Sequence, residues 1–178
     1  MLRIKEFFAL DDLITARWGP QAFRHVDYCG LLPVRPLEHG GYECTPTNTL
    51  SFARTGGDGV HFSLLDARDE TADGPVVMTV PMMDANLVVA ETVAEFLGIG
   101  CRTGWFELEQ LAYDAPATLA HYAAAPAPAS APEQAFLDLV RTELRVAPLA
   151  LTAERLADLE ERFGPLLQVP PFEGAEGI

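Results

Sequence analysis

The chain has 178 residues, of which 49% are hydrophobic and 21% charged, a composition typical of one folded domain rather than of a disordered segment. Its 26 acidic and 12 basic residues give a formal net charge of −14, and Lys5 is the only lysine. Such a surface repels phosphate backbones, so we expect no nucleic-acid binding, and it attracts basic proteins.

Two further features indicate where the protein resides. No apolar run approaches the roughly 18 residues of a membrane span, and residues 1–6 do not open a secretory signal. The three cysteines, Cys29, Cys44 and Cys101, are widely spaced, which favours thiols in a reducing cytoplasm over a disulfide framework. We therefore predict a cytoplasmic protein that does not associate with membranes.

The N-terminal part begins with an apolar stripe that predicts a helix over residues 2–18. Asp11-Asp12 could divide this helix in two, and Gly19-Pro20 ends it. Prolines break up the stretch that follows, in which we predict only short edge strands at 28–32 and 42–44.

A β-hairpin is the clearest local prediction. Residues 50–54 and 60–64 alternate apolar and polar side chains, and the five residues between them include three glycines, which tolerate the positive φ of a tight reversal. His61 alternates to the second face of the hairpin, where we expect it to be exposed or to meet a helix. The predicted buried face consists of Leu50, Phe52, Val60, Phe62 and Leu64.

The hairpin is followed by an acidic connection, residues 66–74, and then by a third strand at 75–80. Residues 82–87 are predicted to form a loop or a short 3₁₀ turn. Successive strands with short links favour an antiparallel arrangement, because a parallel return needs a long crossover.

From Val88 onward the apolar spacing becomes helical. One helix is predicted to contain Val89 to Leu97 and to end at Gly98 or Gly100, and another to carry Trp105. A further helix is predicted at 115–124, starting at Asp114.

The predicted class is therefore α+β: an antiparallel or mixed β-sheet flanked by helices, with a C-terminal helical extension. We predict a single domain, 1–178, with a core over 1–125 and a Pro/Ala linker over 126–132. A C-terminal helical pair at 133–165, with Thr152 as an N-cap, precedes a tail at 166–178.

No motif in the sequence specifies catalysis. Gly56-Gly57-Asp58-Gly59 lacks the Gly-Lys-Ser/Thr continuation of a phosphate-binding loop, and the acidic connection lacks the ligand spacing of a calcium loop. The four histidines form no metal-ligating pair, and no nucleophile elbow is present. We predict no catalytic residue, metal or cofactor. Partner-binding candidates are the exposed acids Asp58, Asp66, Asp69, Glu70 and Asp73.

The segment from Leu50 to Phe62, with its strand, Gly-Gly-Asp turn and second strand, resembles the signature of the SUKH superfamily. In that superfamily a further strand and a helix follow, and Pro75–Val80 and Ala90–Leu97 are similar to these. Most members are bacterial immunity proteins. The resemblance, over residues 49–97, implies a sheet flanked by helices, no enzymatic activity, and neutralisation of a cognate toxin by binding it.

Three functions are open at this point. The first is an immunity-type protein that uses its acidic surface to cover a basic toxin. The second is a small-molecule-binding domain with a cleft lined by Trp105, Tyr113 and His121. The third is a regulatory module that associates with itself, and the sequence leaves the oligomeric state open.

Overall fold

The structure, a computed structural model, describes residues 2–20, 27–124 and 130–171. These residues contain an antiparallel sheet in which the strands are neighbours in chain order, β1-β2-β3-β4-β5. The predicted α+β class is confirmed, and the sheet is antiparallel rather than mixed. The strands are β1 Leu32–Glu38, β2 Thr49–Arg54, β3 His61–Leu65, β4 Val76–Val80 and β5 Ala85–Ala90.

Helices occur before and after the sheet, in the order that the sequence predicts. Ser130 and Thr152 cap the last two helices by accepting the backbone N–H three residues on, which confirms Thr152 as an N-cap. Among the residues described, no helix is both long and apolar enough to cross a membrane. The helices are α1 Ile4–Trp18, α2 Val93–Gly100, α3 Ala115–Ala124, α4 Ala131–Leu144 and α5 Ala153–Phe163, and short 3₁₀ turns lie at Asp27–Gly30, Pro81–Met83, Phe106–Ala112 and Gly164–Leu166.

Both faces of the sheet are covered. On the first face the ring of Phe62 lies 4.8 Å from that of Phe96 in α2, and Phe52 meets Phe7 of α1 edge to face. On the second face, Leu65, Val77 and Val88 form a smaller cluster with Leu159 of α5. Every residue of β3 and β4 is therefore buried, including those on the hairpin face that was predicted to be polar. Of the five residues predicted to be buried, Leu50 is only partly covered and the other four are confirmed.

The first half of the chain departs from prediction in its short elements. Helix α1 continues without a break past Asp11-Asp12 and ends at Gly19. A 3₁₀ turn precedes β1, and residues 42–44 form turns instead of the predicted strand. Strand β1 continues through Pro33 and Pro36, because an edge strand does not need every backbone N–H for pairing.

In the second half of the chain, the main departure from the sequence prediction is strand β5. Residues 85–90 were assigned to a loop and the start of a helix, but they pair with β4 after a turn that Asp84 makes with a φ of 49°. Helix α2 begins only at Val93, after the N-cap Thr92. Helix α2 ends at Gly100, one of its two predicted ends, while Gly98 lies inside the helix. A Cβ on Gly100 would overlap the indole of Trp105.

The C-terminal helices are integrated with the rest of the fold. Ala131 and Pro132, assigned to the linker, form the first turn of α4, and residues 125–129 lie outside the described part. Helix α4 packs against α1, whereas α5 packs against β5. These helices therefore cover different elements, and residues 172–178 of the predicted tail also lie outside the described part.

Candidate functional site

Two of the predicted acidic site residues hold the connection between β3 and β4 in place. Oδ1 of Asp69 accepts hydrogen bonds from the backbone and hydroxyl of Thr71, at 2.7 and 2.5 Å, and these bonds lower the pKa of Asp69. Oδ1 of Asp73 accepts a bond of 2.8 Å from the backbone N–H of Val93 at the start of α2. Both carboxylates are therefore engaged within the chain.

Glu70 and Asp66 are also engaged. Glu70 lies 3.6 Å from Nε of Arg35 in β1, and Asp66 accepts a hydrogen bond of 3.1 Å from Nδ2 of Asn48. The predicted connection is thus a loop whose carboxylates make local contacts.

Asp58 is separate from the other four predicted acids. It is exposed at the tip of the hairpin, at the opposite end of β3 from the acidic connection, and a five-residue strand is roughly 16 Å long. Asp58 and Glu107 both lie within Coulombic range of Glu109. Burial raises the pKa of Glu109, and the negative charges of Asp58 and Glu107 raise it further. The structure therefore does not bring the five candidates together.

Two open grooves share Tyr42 as a common wall. The first, about 460 Å³, lies between the edge strand β1 and the hairpin turn, and the second, about 630 Å³, lies beside the turn between β4 and β5. The first is lined by Leu32, Val34, Glu38, Gly40, Tyr42, Ser51, Arg54, residues 56–60 and His61. The second is lined by Tyr42, Glu43, Cys44, Pro81, Asp84, Val169, Pro170 and Pro171.

Tyr42 is half exposed and yet firmly positioned. Its ring stacks on the imidazole of His61, with centroids 5.7 Å apart and planes inclined by 16°. Its hydroxyl occupies the space that a Cβ on Gly59 would need, so the close approach requires glycine at the turn. A rigid aromatic side chain with 44% exposure offers contact area at a low cost in conformational entropy.

His61, predicted to be exposed or to face a helix, is instead buried beneath residues 39–45. Nδ1 lies 2.8 Å from the carbonyl oxygen of Gly59, which can only accept, so Nδ1 carries the proton and donates. Nε2 is then the acceptor for the hydroxyl of Thr45, 3.3 Å away. Burial lowers the pKa of His61, which favours the neutral ring.

A hydroxyl bonded to an imidazole can form a nucleophile and base pair. However, the side chain of Thr45 is fully buried beneath the same loop, so a substrate in either groove does not reach its hydroxyl. The contact between Thr45 and His61 therefore supports the loop rather than chemistry.

Polar side chains of the sheet lie beneath residues 39–45 and help to hold this loop in place. The amide of Asn86 in β5 donates to the carbonyl oxygen of Cys44 over 2.8 Å and accepts from the hydroxyl of Thr79 over 2.7 Å. Ser51 and Ser63 share a bond of 2.8 Å between neighbouring strands. These buried polar groups are mutually satisfied, which keeps the groove walls in one position.

The last described segment, residues 164–171, forms the outer wall of the second groove, and we call it the strap. Its Gln168 accepts a bond of 2.9 Å from the backbone of Thr47 and donates one of 3.0 Å to Oδ1 of Asn48. Nδ2 of Asn48 also donates to the carbonyl oxygen of Leu166, at 3.1 Å. The strap thereby places Val169, Pro170 and Pro171 opposite Tyr42.

The charges along the grooves are largely uncompensated. Glu38, Glu43, Asp58 and Asp84 are exposed, and within the described part of the chain none of them forms an ion pair. Among the described residues, Arg54 is the one basic side chain, apart from neutral His61, that lines either groove. The grooves therefore present a negative potential beside apolar walls.

Three carboxylates near α5 are instead paired with arginine. Arg155 contacts Glu91 and Glu95 at 2.9 and 2.7 Å, and Arg162 contacts Glu91 and Asp158. Arg155 and Arg162 thus neutralise Glu91, Glu95 and Asp158, whereas among the described residues no basic side chain forms an ion pair with the acids around Tyr42.

Only one of the predicted acids, Asp58, belongs to the grooves. Tyr42, Glu43 and Asp84 were not recognised, because no periodic pattern connects them and sheet pairing alone brings distant segments together. The sequence did place Asp84 in a predicted loop. That loop assignment was the one sequence signal for an exposed side chain at this position.

The three residues proposed for a small-molecule cleft have different environments. Trp105 is fully buried between Phe96 and Phe136, and its Nε1 donates to the carbonyl oxygen of Phe96 at 3.1 Å. Tyr113 is 51% exposed and His121 is exposed on α3. The indole is therefore a core side chain that fills space instead of lining a cleft.

In comparisons with models of protein families, with curated proteins and with solved structures, nothing matches this chain. The resemblance to the SUKH superfamily therefore stays a prediction. In the described ranges, no three His, Cys, Asp or Glu side chains converge in a way that could hold a metal ion.

Proposed function

We propose that the protein is a non-catalytic binding protein of the immunity type, which neutralises a basic toxin by covering it. The observation that carries the proposal is the distribution of charge. In a chain of net charge −14, Glu91, Glu95 and Asp158 near α5 are paired with arginine, whereas Glu38, Glu43, Asp58 and Asp84 lie beside two open grooves and form no ion pair within the described residues. Uncompensated charge at an exposed apolar surface favours association with a protein of opposite charge.

The resemblance of residues 49–97 to immunity proteins supports the same function. A cytoplasmic location is part of the proposal, since Cys29, Cys44 and Cys101 are all thiols, as expected in a reducing compartment. The rigid support of Tyr42 also fits binding, because a surface that is ordered before association loses less entropy on docking.

The test is co-expression with the toxin genes that lie beside the gene of this protein. We expect one toxin to be neutralised and to co-purify at about 50 mM salt, with recovery falling steeply toward about 500 mM as the charges are screened. Unchanged toxicity with every adjacent toxin gene would overturn the proposal.

Matched variants locate the effect of charge. The groove variant neutralises the four unpaired acids as Glu38→Gln, Glu43→Gln, Asp58→Asn and Asp84→Asn, and we expect the association rate to fall at least about tenfold at low salt. The control variant removes the same charge from exposed helical acids, as Glu143→Gln, Glu154→Gln, Glu160→Gln and Glu161→Gln, and we expect a much smaller effect.

A further inference from the structure

The second groove combines an apolar wall with two carboxylates, and no basic side chain in the described ranges lines it. Tyr42, Pro81 and the strap supply the apolar wall, and Glu43 and Asp84 supply the charge. We propose that this groove receives an arginine side chain of the basic partner, a proposal that rests on the proposed function.

The carboxylates of Glu43 and Asp84 both lie near the side chain of Cys44. Burial raises the pKa of the Cys44 thiol, and the negative charges of Asp84 and Glu43 raise it further, which places both charges within Coulombic range of one side chain at the groove. Both carboxylates are exposed, and within the described part neither has an ion-pair partner. A cation that enters the groove therefore meets two negative charges without displacing an existing ion pair.

The walls suit a flat, weakly hydrated cation. Guanidinium stacks on aromatic rings, donates up to five hydrogen bonds and carries an aliphatic stem that packs on apolar surface. Tyr42 offers a ring that His61 holds in place, and Pro170 and Pro171 offer rigid apolar surface. The neutral state of His61 adds no positive charge beneath the ring.

The size and order of the groove are also appropriate. A volume of about 630 Å³ accommodates one long side chain together with part of the segment that carries it. The hydrogen bonds of Asn48 to the strap and of Asn86 to Cys44 hold opposite walls before a partner arrives. The groove is thus organised in advance, as an efficient binding site requires.

The first groove is a poorer candidate for a cation. Arg54 lines it, so its two carboxylates are opposed by one positive charge. Charge also disfavours the chain's own last residues as occupants of the second groove, because residues 172–178 include Glu173 and Glu176 and no basic residue.

The test uses N-acetyl-arginine methylamide as the probe and amide chemical shifts of the full chain as the readout. We expect saturable shifts at Glu43, Asp84 and Val169, and none with the citrulline analogue, which has nearly the same shape but no charge. In the Glu43→Gln, Asp84→Asn variant we expect affinity for the probe to fall about fivefold or more, since two charge-assisted contacts are lost. Glu143→Gln, on α4, is the matched control and should not change binding.

Several outcomes would overturn the assignment. They are equal shifts with the citrulline analogue, shifts confined to the first groove or to residues 66–73, no shifts at all, and undiminished binding to the double variant. Binding that appears only in a chain ending at Pro171 would identify the protein's own terminal residues as the occupant. Measuring the thermal midpoint of the double variant checks that it is folded. We expect it to fold because both substitutions lie at exposed positions.

The outcome separates this inference from the proposed function. If a toxin is neutralised equally well by the wild-type chain and the double variant, the groove assignment fails and the immunity-type function holds. If the arginine probe binds as expected but no adjacent toxin is neutralised, the function fails and the groove still binds arginine.

Discussion

The guanidinium of Arg155 joins α5 to the first turn of α2, with its Nε 2.7 Å from Oε1 of Glu95. The same side chain reaches Glu91 at the end of β5 and Asp158 one turn further along α5. One arginine therefore connects the helix on the second face of the sheet to the strand and helix beside it. Because α5 is followed directly by the strap, this contact also fixes the outer wall of the second groove.

Arg155→Ala should detach α5 in part and cost about 1–2 kcal/mol, since the ion pairs are only partly shielded from water. Urea unfolding at pH 7 measures the loss, and faster hydrogen exchange in α5 locates it. Arg68→Ala, at an exposed position in the acidic connection, should change stability by less than about 0.5 kcal/mol. Equal costs for the two variants would contradict this role of Arg155.

Acid should weaken the same network. Hydrogen bonds from Arg162 and Arg155 lower the pKa of Glu91 from 4.5 to about 2. A carboxyl with a lower pKa in the folded than in the unfolded chain contributes stability above pH 4.5 and loses it as the pH falls toward 2. We expect Glu91→Gln to be less stable than wild type at pH 7 and to lose less stability between those two pH values. Parallel pH profiles of unfolding free energy would contradict the assignment.

His61 should respond to pH in a milder range. Burial lowers its pKa from 6.5, so the unfolded chain takes up a proton on this ring at a pH where the folded chain does not. The contribution to stability is complete above pH 6.5 and declines as the pH falls below it. His61→Asn should lower the free energy of unfolding at pH 8, because its contacts are lost, and should flatten the decline between about pH 6.5 and 5.

His121→Asn is the matched control for this prediction, because His121 is exposed on α3. It should leave both the stability at pH 8 and the pH profile close to those of wild type. The urea midpoint at several pH values measures both variants, and a wild-type slope in the His61 variant would contradict the prediction.

The sequence predicts the hairpin and the helices well because their signals are local. Alternation around Phe62 and the three glycines of the turn specify a hairpin wherever it is placed. Alternation also predicted a polar second face, and this was wrong because α5 and the loop above His61 cover it. Strand periodicity does not predict which side chains a distant segment covers, because that coverage depends on tertiary structure.

The same reasoning explains the errors at β5 and at the grooves. Val88 and Val89 fit either a buried strand or the start of a helix, and pairing with β4 decided between these possibilities. Tyr42 and Asp84 lie on different turns and come together only through the sheet, so no spacing in the sequence relates them.

Gly100 ends α2 as predicted, and close packing gives this position a second requirement for glycine. A Cβ there would overlap the indole of Trp105, which is fully buried and has no room to move. We expect Gly100→Ala to cost about 2 kcal/mol or more through overpacking, although alanine is the better helix former. Gly57→Ala is the control, because the nearest atom to its Cβ would be Cε2 of Phe106 at 4.0 Å. Thermal unfolding distinguishes the two, and a stabilised Gly100→Ala would show that packing does not select this glycine.

Substitutions of Asn48 test whether the strap shapes the second groove. Asn48→Ala removes its hydrogen bonds to Leu166 and Gln168 and should cost about 1–2 kcal/mol. Asn48→Asp should cost more at pH 7, because a new carboxylate would face both the carbonyl oxygen of Leu166 and the carboxylate of Asp66, which now accepts from Nδ2. The difference between these variants should shrink below about pH 4, as the introduced carboxyl takes up a proton.

Gln168→Ala is the control for Asn48, because Gln168 contacts Asn48 and Thr47 through its backbone alone. It should retain the stability of the wild type, the slow hydrogen exchange of the strap and the affinity for the arginine probe. Both Asn48 variants should weaken that affinity, since Val169, Pro170 and Pro171 would no longer be held opposite Tyr42. If the Asn48 variants lose stability and still bind the probe as tightly as wild type, the strap stabilises the fold without forming part of the binding site.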